Sequence, residues 1–111
     1  MSTTISFEDF SKIDLRIGTI VKVSSFEEAH KPAYKLTIDF GLLGIKKSSA
    51  QITSLYSEED LLNKQIIANV NFYDKQIANF SSQCLVLGAL DGSKIILLSP
   101  EESVLNGTTV S

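Results

Sequence analysis

The stretch YKLTIDFGLLGIKKSSAQI, residues 34–52, decides the fold. Its first seven residues alternate. Tyr34, Leu36, Ile38 and Phe40 fall on one face and Lys35, Thr37 and Asp39 on the other, the period of a strand with one buried side. Gly41 and Gly44 bracket a short connection into GIKKSSAQI, Gly44 to Ile52. That segment also has the length of a strand, but lysines, serines and a glutamine stand where a buried strand carries valine and isoleucine. Three readings are open: a serine nucleophile activated by lysine, a polar face that holds a chain-like ligand, or a solvated edge.

Working outward, ISFEDF (Ile5 to Phe10) carries helix-start signals. Ser6 caps, Asp9 follows three residues later, and Ile5 with Phe10 has the spacing of a hydrophobic staple. Phe7, Phe10 and Ile13 give this helix a face to bury. Leu15 to Val23 is a long first strand whose Gly18 suggests a bulge or bend. Ser57 opens a short helix with acids in its first turn, and Asn63 suits the residue past its end. A fourth strand over Gln65 to Phe72 places Ile66, Ala68, Val70 and Phe72 on one face. The polar loop YDKQIANFSS leads into a fifth strand, Cys84 to Leu90, apolar on both faces; the N-terminal helix or a second copy of the chain must cover its outer side. Asp91-Gly92 signals a hairpin into Lys94 to Leu98, and Pro100 suits the first position of a last helix. Five or six short strands, an N-terminal helix and a short helix between strands three and four match an all-β OB-fold barrel, whose ligands are extended chains laid across an open face.

The chain has 111 residues, enough for one domain spanning 1–111, and its 43% apolar and 21% charged residues are those of a globular protein. No apolar run approaches the ~20 residues that cross a bilayer, so no membrane insertion is expected. MSTTISFEDF carries acids where a signal peptide carries lysines, which points to the cytoplasm. A single cysteine, Cys84, and a single histidine, His30, supply neither a disulfide nor a Cys/His zinc site; no metal and no cofactor are expected. The formal net charge of −3 speaks mildly against a protein built only to hold nucleic acid, although lysines dominate around residues 31–47.

In order along the chain, DLRIGTIVKV (14–23), KPAYKLTIDFG (31–41), IKKSSAQI (45–52), NKQIIANVNF (63–72) and SQCLVLGALDG (82–92) resemble the tRNA-binding domain family, most closely its small stand-alone members of the CsaA type. The resemblance implies an OB-fold homodimer. In the wider family it implies binding of folded tRNA; in the CsaA branch, chaperone activity on unfolded polypeptides or preproteins and a link to the Sec export machinery. The family's basic residue at the start of strand three falls on Lys46, its asparagine after strand four on Asn71, its loop lysine on Lys75 and its serine before strand five on Ser82. Three departures favour the CsaA branch over tRNA, one being that Arg16 is the chain's single arginine. Ala50-Gln51 replaces the usual Ser-Gly, and Lys75-Gln76-Ile77-Ala78 replaces Lys-x-Arg-Gly.

Strand parity weighs the three readings. Lys47 and Ser48 diverge, and no strained nucleophile turn accompanies Lys47 and Ser49, so no catalytic residue and no enzyme activity are expected. Ser48, Ala50 and Ile52 share a face on which small residues allow close packing. For ligand binding, Lys46 is chosen over Lys47, with Lys35 expected nearby and Lys75 joining from the loop. Tyr73, Ile77 and Phe80 are the candidate peptide-binding group, and Phe72 is assigned to the core. Asn71 is equally a turn residue, Arg16 a structural or dimer-surface ion pair with Asp14, and His30-Lys31-Pro32 a turn. The expected function is a homodimeric CsaA-like chaperone binding unfolded or export-bound polypeptides. The alternative is a stand-alone tRNA-binding protein with a basic stripe through Lys35, Lys46 and Lys75.

Overall fold

The computed structural model describes residues 3–111. The main sheet runs in the order β3-β2-β1-β4-β7, with β1 Leu15–Ser25, β2 Tyr34–Asp39, β3 Ile45–Ala50, β4 Gln65–Asn69 and β7 Leu85–Val86. It curls into the nearly closed barrel expected of an OB-fold. β1 is long enough to serve two partners: Leu15–Thr19 pairs with β4 and Thr19–Ser25 with β2. Between them Ile20 donates to the Lys64 carbonyl (2.9 Å) and accepts from Asn63 (2.7 Å), which hands the strand from one neighbour to the other.

The alternation in β2 is realised: Tyr34, Leu36, Ile38 and Phe40 are buried. They pack with Ile20, Ile52, Leu61, Ile66 and Ala68 in one core. Helix α2, Glu58–Leu61, closes one end of the barrel with a fully buried Leu61. Its capping box pairs Ser57 with Asp60 reciprocally, and Asn63 takes φ 69° past its end. These hydrogen bonds hold the Asp60 carboxyl below its ordinary range. Gly18 is not the bulge. The register of β1 shifts between Ile20 and Lys22 instead, and Gly18 answers to packing: a Cβ there would lie 2.6 Å from Ile38 Cγ2 and 2.7 Å from the Phe40 ring.

Several other expectations change. Helix α1, Phe7–Ser11, is capped by Ser6 as expected, yet none of its residues is buried and Phe7 is 80% exposed, so it does not cover the fifth strand within this chain. β4 ends at Asn69, and the side-chain alternation ends with it: Val70 packs partly against the core, while Phe72 turns outward. The polar loop folds into a hairpin of β5 Lys75–Ile77 and β6 Phe80–Ser82, turning through Ala78 at φ 52°. The fifth strand breaks at Leu87. Leu87 still donates to Ile67 of β4, but its carbonyl accepts from Leu98, and β8 Gly88–Asp91 then pairs with β9 Lys94–Leu97. Asp91 and Lys94 are partners, so the turn is Gly92-Ser93, one residue later than expected.

No helix forms at Pro100. Both backbone groups that could fix the later chain in place are used by Gln65, which donates to the Val104 carbonyl (2.7 Å) and accepts from its N–H (3.1 Å). A turn over Leu105–Thr108, in which the Thr108 N–H donates to the Leu105 carbonyl (3.2 Å) and Gly107 takes φ 90°, then leads into β10, Thr109–Val110, against the start of β1. Among the described residues no helix is long and apolar enough to cross a membrane.

Candidate binding surfaces

The polar third strand is where the barrel closes. No regular ladder joins β3 to β7; side chains and the segment 82–84 do the work. Gln83 donates its N–H to the Lys47 carbonyl (2.7 Å), and its side chain accepts from the Lys47 N–H (2.9 Å). The Ser49 N–H reaches the Ser82 hydroxyl (3.3 Å), and the Ser48 hydroxyl donates to the Cys84 carbonyl (3.0 Å). Ser48 is 1% exposed, with its polar atom satisfied. Its hydroxyl is therefore a seam contact, on the opposite face from Lys47, and not an activated nucleophile.

Register separates the candidate lysines. Lys35 lies opposite Ser49, and Lys47 opposite Thr37, on the outer face; Lys46 lies opposite Ile38, on the core side. The expected stripe through Lys35, Lys46 and Lys75 is thus not a single surface, because Lys35 and Lys46 occupy opposite faces of the sheet. The outer-face neighbour of Lys35 is Lys47. Finding this from sequence requires the pairing of β2 with β3, which a single strand's parity does not supply.

The peptide-binding candidates also divide. Tyr73, Lys75 and Ser82 line one cavity of about 250 Å³ together with Phe72, Cys84 and Leu85. Tyr73 is completely exposed and Phe72 is 56% exposed. Phe72 and Leu85 line this cavity without having been singled out in the sequence, Phe72 because it was placed in the core. Cys84 forms the inner wall, and burial pushes its thiol up to about 11, opposed by the charge of Lys46. Ile77 sits elsewhere, among Ala29, His30, Ala33 and Gln51. Phe80 packs on Phe26, ring centroids 5.3 Å apart, with the Lys35 ammonium 5.6 Å from its centroid.

Asn71 is a structural staple. Its amide oxygen accepts from the Asp14 N–H (2.9 Å) and the Asn69 amide (3.0 Å), and its amide nitrogen donates to the Lys12 carbonyl (2.7 Å). It holds the end of α1 against the end of β4. Arg16 pairs with Asp14 as expected: its Nε lies 2.6 Å from Asp14 and Nη1 donates to the Gly107 carbonyl (3.0 Å). The hydrogen bond to Asp14 raises the guanidinium pKa. Among the described residues, no three His, Cys, Asp or Glu side chains are grouped to hold a metal ion.

Comparison with known proteins gives this geometry a family. Residues 15–109 match the model of a putative tRNA binding domain. The methionine–tRNA ligase of Pyrococcus furiosus is 40% identical over 106 residues, which cover 96% of this chain and 14% of the ligase. A Francisella tularensis methionine–tRNA ligase is 39% identical over 95% of this chain and 15% of its own length. The chain therefore spans about one-seventh of these relatives. Two solved structures are similar over nearly their whole length. Chaperone CsaA of Bacillus anthracis superposes with a TM-score of 0.94 at 49% identity, covering 98% of this chain and 100% of that one. The CsaA chaperone protein of Picrophilus torridus gives 0.92 at 54% identity, covering 97% and 100%. Together with the OB barrel and its five ordered motifs, these matches establish that the chain belongs to the tRNA-binding domain family.

Proposed function

We propose that this protein is a CsaA-like, non-catalytic chaperone that transiently binds unfolded or export-bound polypeptides in the cytoplasm. The observation that carries the reading is the cavity of Phe72, Tyr73, Cys84 and Leu85. A fully exposed tyrosine and a half-exposed phenylalanine stand beside an apolar wall, with Lys75 at the rim. Such a site accepts an apolar side chain and tolerates many sequences, because no buried polar group demands a particular partner. The close likeness to two CsaA chaperone structures supports the same reading.

Dimerisation belongs to the proposal. Ile5 and Phe7 on or beside α1, and Leu90 on β8, expose 66%, 80% and 80% of their surface. A second copy of the chain is the proposed cover for them, and two cavities per dimer would raise avidity for one long polypeptide. Preproteins and a Sec export component are the proposed partners. The test is an anisotropy titration of a labelled, permanently unfolded polypeptide with the wild type and with Tyr73→Ser/Leu85→Ser. Both side chains are exposed, so the double variant should fold normally yet bind at least tenfold more weakly. Equal binding by both proteins contradicts the assignment.

The family match favours a second reading, tRNA binding. Titration of labelled tRNA from low to physiological salt tests it. Binding that persists at physiological salt supports a tRNA ligand, and binding confined to low salt leaves only non-specific attraction.

A further inference from the structure

Residues 104–110 lie as a strap over the start of β1 and β4, and Asn106-Gly107 forms its turn. Asparagine is among the residues that fail by chemistry rather than by unfolding. The backbone nitrogen of the following residue attacks its side-chain amide, and a glycine there has no Cβ to shield that nitrogen. Of the five asparagines in the chain, Asn106 alone precedes a glycine; Lys64, Val70, Phe72 and Phe80 follow the others.

The fold holds both reacting groups in place. The Gly107 N–H, whose nitrogen is the nucleophile once its proton is lost, donates to the Ile17 carbonyl at 2.7 Å. The Asn106 amide oxygen accepts from the Thr19 hydroxyl of β1 (2.7 Å) and from the Gln65 side chain of β4 (3.1 Å). Gln65 also binds both backbone groups of Val104, and Arg16 donates to the Gly107 carbonyl. Ring closure turns the Asn106 side chain over its own peptide, which breaks the bonds to Thr19 and Gln65. It also takes from Gly107 the proton that Ile17 holds. The reaction therefore waits for the strap to lift from β1, a local opening that leaves the core folded.

We propose that Asn106-Gly107 is a latent deamidation site, silent while the strap is docked, and that its isoaspartyl product keeps a lifted strap from returning. In the open strap the Gly107 nitrogen gives its proton to hydroxide and bonds to Asn106 Cγ. The Cγ–Nδ2 bond breaks, and that nitrogen leaves as ammonia. Water then opens the succinimide at either carbonyl, giving aspartate or isoaspartate; no redox partner is consumed. The two products differ in effect. Aspartate preserves the main chain and, because Asn106 only accepts in its bonds to Thr19 and Gln65, preserves those bonds as well. Isoaspartate moves Cβ into the main chain and lengthens the turn by one carbon. The site has no room for it: a Cβ on Gly41 would clash with the Asn106 carbonyl oxygen, and one on Gly107 would lie 2.5 Å from that of Phe40. A displaced strap takes away the Thr108 and Gly107 partners of the Ile17 N–H and carbonyl, at a residue only 3% exposed.

The experiment incubates folded wild type, wild type in denaturant, Thr19→Val and Gln65→Ala at one temperature and mildly alkaline pH. Residue 106 is followed by peptide mass mapping and by isoaspartyl methyltransferase labelling, after melting curves on each variant. Deamidation in the native wild type should be roughly tenfold or more slower than in denaturant, and about threefold or more faster in each folded variant than in the native wild type. If Gln65→Ala melts too low to compare, Thr19→Val, which removes only the hydroxyl, decides. The isoaspartyl form, separated chromatographically, should exchange its Ile17 amide roughly tenfold or more faster than wild type, whereas Asn106→Asp should match wild type. Equal rates in native and denatured wild type, or a folded Thr19→Val that deamidates no faster, overturn the protection by the strap. An isoaspartyl form whose Ile17 amide stays protected overturns the release.

Discussion

The Ser48 hydroxyl donates to the Cys84 carbonyl across the barrel seam at 3.0 Å, inside a core where Ser48 is 1% exposed. Among the described residues the same carbonyl has one other donor, the Ser82 hydroxyl at 3.4 Å. Ser48→Ala leaves a buried acceptor with this long contact alone. It should lower stability by about 1–2 kcal/mol. A denaturant titration should show an earlier midpoint with an unchanged slope, because the native barrel persists.

Gly18 sits under Phe40. Gly18→Ala places a methyl 2.7 Å from that ring and 2.6 Å from Ile38 Cγ2, and both neighbours are fully buried. Neither ring nor methyl has free volume to retreat into, so the expected cost is about 1–3 kcal/mol. Thermal melting of Gly18→Ala beside wild type measures it. An unchanged midpoint would mean that β1 can lift from β2 at no cost.

Cys84 should behave as an inert thiol. Burial raises its pKa from 9.0 to about 11, so at pH 8 the thiolate is scarce in the folded chain. Reaction with a disulfide reagent at pH 8 should be on the order of a hundredfold slower in the native protein than in denaturant, from thiolate fraction alone. The folded state holds the proton more tightly than the unfolded state. This contribution to stability is therefore complete below pH 9.0 and is lost as pH rises toward about 11. Cys84→Ser should flatten that alkaline decline.

Asn71→Ala removes the bonds to Lys12, Asp14 and Asn69 together. The helix α1 has no buried residue of its own to hold it. Amide exchange over residues 7–14 should accelerate at least tenfold, while the buried strands β1 and β2 stay protected. Any loss of ligand binding in this variant then has to be judged against a loosened N-terminus.

The barrel was legible because its signals are local. Alternation from Tyr34 to Phe40, the Ser57 cap with Asp60, and Asn63 at a left-handed position each follow from adjacent residues. Features that depend on distant pairing were not. Phe72 keeps the parity of Val70 in sequence, but the ladder that enforces parity stops at Asn69. Pro100 has the right neighbours for a helix start, yet no helix forms, and distant Gln65 ties down the backbone at Val104 through both its carbonyl and its N–H. Ala78 at φ 52° hid a hairpin turn that glycine would have announced. The candidate site suffered most: a lysine's face follows from parity, but which lysines share a surface follows from register between strands.

Location of the polypeptide site is the central claim, and hydrogen exchange tests it most directly. Exchange is compared for the protein alone and with a saturating, permanently unfolded polypeptide. Protection concentrated in residues 72–75 and 82–86, with the outer rows of β1 and β2 unchanged, is the result expected from the cavity of Phe72, Tyr73, Lys75, Ser82, Cys84 and Leu85. Protection of the lysine face instead, or no protection at a concentration that suppresses aggregation, would contradict it.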